Sequence, residues 1–104
     1  MRIAASLALA LFAASAMAAG ADPSTGEKIA KSECASCHAI GRDAKATSPD
    51  PKAPRFIDVA KMPSTTELSL KVFLRSSHRN MPNFILAPEE IDSLASYILE
   101  LGGK

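Results

Sequence analysis

The clearest pattern in the chain lies at its end. Ile91, Leu94, Ala95, Ile98 and Leu101 recur at i, i+3, i+4, i+7 and i+10, one apolar stripe of a helix. Pro88 suits its first turn, Glu89 and Glu90 suit its N-terminus, and Gly102-Gly103 ends it. A second helix is predicted from a capping box at Ser24-Thr25-Gly26-Glu27 to about Cys37. Gly26, Ile29, Ala30, Glu33, Cys34 and Cys37 share one of its faces, with Ile29, Ala30 and the two cysteines as buried candidates. Gly26 costs helix propensity, which points to close approach by another helix. Ser64-Thr65-Thr66-Glu67 has the same box spacing and predicts a helix to about Ser77, with Leu70, Phe73 and Leu74 on one side and Leu68 and Val72 on another. A short helix over 54–61 would turn Phe56, Ile57 and Ala60 inward. No strand-like alternation of useful length occurs, so the expected class is all-α, with three to five helices. Residues 39–53 are small, polar and Pro-rich, a long loop that suggests wrapping over something.

Length and charge narrow this further. At 104 residues there is room for one small domain. Residues 1–19, MRIAASLALALFAASAMAA, read as a secretory signal, with Arg2 at the start, an apolar run from Ile3 to Ala14, and an A-x-A site at Ala16-Met17-Ala18. The run is short for a membrane span, so stable insertion after signal removal is not expected. Removing residues 1–18 leaves an 86-residue domain, 19–104, with 11 cations against 11 acids. That balance argues against a nucleic-acid partner. Export points to the periplasm. A domain this small with 5 % aromatic residues has a thin core and calls for a staple such as a metal or cofactor.

Cys34-Ala35-Ser36-Cys37-His38 supplies one. C-x-x-C-H is the c-type haem attachment pattern. Two thiols three residues apart on one helical turn can add to the two vinyl groups of one porphyrin, and the adjacent imidazole then meets the iron. A thioredoxin-like pair lacks its βαβ context, and a zinc site would need neighbouring Cys37 and His38 in one tetrahedron. For the sixth iron position Met81 leads, since Pro82 biases it toward an extended backbone that can hand one side chain to the metal. Met62, also followed by a proline, and His78 remain open as competitors.

The order helix, CASCH, long loop, helix, NMPNF and amphipathic C-terminal helix resembles class I cytochrome c of the small bacterial periplasmic type, over essentially the whole mature chain. The resemblance implies helices wrapped around one covalently attached haem c per chain. It implies Cys34 and Cys37 as thioether attachments, and His38 and Met81 as axial iron ligands. Gly26 and Tyr97 match the crossing of the terminal helices. Pro54 matches the proline whose carbonyl accepts from the ligand His Nδ1–H, and Asn83 matches an Asn near the Met sulfur. No Trp is present to bond a haem propionate; Arg55, Lys61 and Arg79 are left as alternatives. The implied function is one-electron transfer by a soluble carrier that is not an enzyme and docks with redox partner proteins, and a monomer is expected. The alternative is a haem subunit or dedicated electron acceptor of a larger dehydrogenase, sulfur-oxidising or oxidase complex.

Overall fold

A computed structural model describes residues 21–76, 81–82 and 85–104. The expected signal segment 1–18, His78, Arg79 and Asn83 lie outside the described residues. Four α-helices occur among them, with no strand: α1 (Pro23–Ile29), α2 (Phe56–Lys61), α3 (Glu67–Leu74) and α4 (Pro88–Leu101). The all-α expectation holds. The first helix does not run unbroken to Cys37, however. It passes into a π-helical turn over Ala30–Cys34, closed by the Ala35 N–H on the Ala30 carbonyl at 3.0 Å. The wider i→i+5 turn keeps Cys34 beneath Ala30, both buried, and swings Glu33 out to solvent, against the expected shared face.

Both predicted capping boxes shift. The cap of α1 is Asp22, not Ser24. Its carboxylate accepts from the Ser24 N–H at 3.0 Å, Ser24 Oγ at 2.9 Å and Thr25 Oγ1 at 2.9 Å. Pro23 fills the first helical position, where its missing N–H costs nothing. Glu27 pairs forward with Lys31 at 3.2 Å rather than reaching back. At α3 the cap is Thr66, which exchanges bonds with Ser69: the Ser69 N–H donates to Thr66 Oγ1 at 3.1 Å, and the Thr66 N–H to Ser69 Oγ at 2.8 Å. Ser64 cannot serve because residues 62–65 form the turn that ends α2. There the Thr65 N–H donates to the Met62 carbonyl, and the buried Thr65 hydroxyl to the Val59 carbonyl at 2.5 Å. The last helix starts as expected at Pro88, with Glu90 accepting from the Ala87 N–H at 2.9 Å.

α1 and α4 cross tightly. A Cβ on Gly26 would stand 2.6 Å from the Ser93 carbonyl carbon and 2.8 Å from Tyr97 Cβ, so only glycine allows this approach. Asp22 N–H donates to the buried Ser93 Oγ at 3.1 Å, tying the cap of one helix to the face of the other. Ile29, Ala30, Cys34, Phe56, Ala60, Leu94, Ala95, Tyr97, Ile98 and Leu101 fill the core around this crossing and α2. α3 contributes only Leu70 to the buried set, with Leu74 packed at its margin. Lys71 ties α3 to α4 through Asp92 at 3.2 Å while pairing with Glu67 at 2.7 Å.

Candidate haem site

The π-turn delivers Cys34 into the core and releases the chain into a tight turn. The Cys34 carbonyl accepts from the N–H groups of both Cys37, at 3.2 Å, and His38, at 2.9 Å. No disulfide joins Cys34 and Cys37, the first buried and the second half-buried. Burial, aided by the Glu33 charge, pushes the Cys34 thiol up to about 11. A thiol so reluctant to ionise is unlike the depressed thiol of a dithiol oxidoreductase.

The loop that follows is pinned back onto this turn. Asp50 N–H donates to the Cys37 carbonyl at 3.1 Å, Ala39 N–H to Ser48 Oγ at 3.0 Å, and Phe56 N–H to the Ala39 carbonyl at 2.9 Å. Tyr97 Oη reaches across from α4 to the Ile40 carbonyl at 2.6 Å. Inside this frame His38 Nδ1 donates to the Pro54 carbonyl at 2.6 Å, which fixes the tautomer and leaves Nε2 as the ring's free acceptor. The buried Phe56 ring backs the imidazole, with centroids 5.1 Å apart and planes tilted by 52°.

Arg55, one residue on, closes the loop from within. Its Nε and Nη2 bind the two Asp58 oxygens at 2.7 and 2.8 Å, and its Nη1 reaches the carbonyls of Ala44 and Ala46. Each partner favours the other's charged form: the Asp58 carboxylate raises the Arg55 pKa, and Arg55 lowers that of Asp58. Arg55 is thereby engaged within the loop by Asp58 and two carbonyls. Sequence reasoning missed Ser48, Asp50 and Arg55 as locks of this loop. The Ser-Pro-Asp-Pro run at 48–51 was the available signal, since such residues favour turns stabilised by their own side chains.

Met81 is half-buried, and Met62, the residue closing α2, is 47 % exposed. Several apolar side chains of α3, and Ile85, are poorly covered by protein. Leu68 is 72 % exposed, Val72 57 %, Phe73 49 %, and Ile85 is fully exposed. Phe73, expected on the side of Leu70, is thus not buried as Leu70 is. Two thiols and an oriented imidazole form a donor set that fits haem.

These features define a c-type cytochrome of the small all-helical kind. The family described as cytochrome c oxidase, cbb3-type, subunit III matches residues 21–98, and the chain belongs to that family. It is 37 % identical over 92 residues to cytochrome c-552 of Bradyrhizobium diazoefficiens, covering 88 % of this chain and 86 % of the relative. It is 33 % identical over 95 residues to cytochrome c6 of Nostoc sp., covering 89 % and 83 %. No solved structure matches significantly. The chain is a class I cytochrome c with covalently bound haem c. No helix among the described residues is long and apolar enough to cross a membrane.

Proposed function

We propose that the chain is a periplasmic one-electron carrier, freed of residues 1–18 on export, with haem bonded to Cys34 and Cys37 and ligated by His38 and Met81. Bound there, haem supplies one-electron Fe(III)/Fe(II) chemistry. His38 Nδ1–H donation to Pro54 holds the ring in one orientation and strengthens its donation through Nε2. A Met81 thioether is a weak donor to ferric iron and raises the potential. With His38 and Met81 both holding the iron, no site would remain on it for a substrate, so the reading is a carrier and not an enzyme.

The 2.6 Å bond from His38 to Pro54 carries this reading, because it dedicates the imidazole next to Cys37 to donation through one nitrogen. Intact mass of the exported protein tests attachment. The expected result is the chain from Ala19 onward plus one haem, with haem staining retained on a denaturing gel. Haem that extracts into acid acetone contradicts it. Met81→Ala should open the iron to CO and lower the potential; unchanged CO exclusion contradicts Met81 and favours Met62 or His78.

The family description favours a second reading, a haem subunit of a larger oxidase-type complex. Stable co-purification with a catalytic chain at moderate salt supports it; purification as a free monomer supports the carrier.

A further inference from the structure

We propose that Arg55 is a positioning residue for His38: by locking the loop on both sides of Pro54, it sets the hydrogen bond that orients and tunes the imidazole. The inference rests on the reading of His38 as an iron ligand.

The Pro54–Arg55 peptide carries the carbonyl that His38 uses, so whatever fixes that peptide plane fixes the bond. Arg55 holds it in three ways. Its own carbonyl, in the following peptide, accepts from the Asp58 and Val59 N–H groups at 3.1 Å each, anchoring the Arg55 backbone to the first turn of α2. Its guanidinium binds Asp58 in the same turn through a two-pronged fork. The remaining arm reaches back to Ala44 and Ala46, closing the loop that leads into Pro54. The next residue, Phe56, donates to Ala39 beside His38, so residues 38–39 and 54–56 form a short two-rung contact. A surface ion pair alone would contribute little. This one differs because the Arg55 side chain, 27 % exposed against 55 % for Asp58, also joins a helix terminus to a loop nine to eleven residues back. Arg rather than Lys is required, since only a planar fork can satisfy a carboxylate and two carbonyls together.

The consequence is electronic as well as geometric. A firm Nδ1–H···O bond makes the imidazole a stronger donor, stabilises ferric iron and lowers the potential. Loosening it should raise the potential.

The test uses the holoprotein with two charge-conserving variants, Arg55→Lys and Asp58→Glu. In Arg55→Lys, exchange of the His38 Nδ1 proton with solvent should accelerate about tenfold, as loss of charge-assisted hydrogen bonds implies, and the midpoint potential should rise. Asp58→Glu, which keeps the guanidinium but spoils the fork, should shift both readouts the same way and less. If Arg55→Lys does not mature, Asp58→Glu alone decides. Unchanged proton exchange and potential in a variant with the native haem spectrum overturn the proposal. Failure of the ligand reading shows separately: the wild-type His38 ring protons would then lack the large upfield shift a bound porphyrin imposes in the reduced protein.

Discussion

Around Gly26, two helices touch backbone to backbone, and the neighbouring side chains are almost wholly covered: Ala30 and Ala95 are 0 % exposed and Leu94 is 1 %. Around α3, side chains of the same apolar character stand open, with Leu68 at 72 % and Val72 at 57 %. Helix length does not account for this, because α1, at 7 residues, is shorter than α3, at 8. The difference lies in the partner. The α1–α4 crossing is completed by protein, with a glycine notch, a cap bonded across helices, and Tyr97 tied to the haem-motif loop. On the reading proposed above, bound haem covers apolar side chains of α3 that the polypeptide leaves open. A small chain with few aromatic residues would then divide its core between polypeptide and cofactor.

Removing the cofactor should break the comparison most severely. In Cys34→Ala/Cys37→Ala protein, amide exchange protection should vanish over α3, and residual helicity should be confined to residues 23–34 and 88–101, with no sharp thermal transition. Haem-free protein that unfolds cooperatively with α3 protected would show that protein alone completes both halves.

Substitutions at the crossing come next. Gly26→Ala forces a Cβ against the Ser93 backbone, which has no soft direction in which to yield, and should cost about 3 kcal/mol in chemical denaturation of the holoprotein. Leu94→Ala should cost a similar amount, about 3 kcal/mol, through the cavity it leaves.

Val72→Ser sharpens the contrast. An exposed surface change usually stays within about 0.5 kcal/mol. If haem covers Val72, the holoprotein should lose more than about 1 kcal/mol. A negligible effect in the holoprotein would place Val72 in solvent.

The smallest effect concerns Asp22. Hydrogen bonds from Thr25 and Ser24 lower its pKa in the folded protein. A depressed carboxylate contributes stability above its unfolded pKa of about 3.9 and loses it as pH falls through the folded value. Asp22→Ala should therefore melt a few degrees below wild type at neutral pH, with the gap closing under strongly acidic conditions. A gap that persists in acid would show that the cap acts without its charge.

Much of this division was legible in the sequence. The α4 stripe, the inward set Phe56, Ile57 and Ala60, and the close approach at Gly26 follow from periodicity and glycine placement, because both sides of those contacts are protein. The haem motif is local and needs only five residues. What escaped was set by competition among neighbours. Ser24 and Ser64 have the box spacing, yet Asp22 before Pro23 makes a stronger cap, and Thr65 is drawn into the turn that closes α2. The π-turn has no side-chain signature at all; it is visible only as the outward swing of Glu33. Phe73 shares helical spacing with Leu70 yet is 49 % exposed, and spacing alone does not tell whether an apolar side chain faces protein or a cofactor.

That ambiguity is resolved most directly by methyl resonances of the reduced holoprotein, where a porphyrin ring current marks every group lying over it. The account predicts a Met81 methyl shifted far upfield, clear shifts for Leu68 and Val72, and ordinary positions for Ile29, Leu94 and Leu101 at the helix crossing. Unshifted Leu68, Val72 and Met81 methyls, or large shifts confined to the crossing, would contradict the claim that haem completes the α3 half of this core.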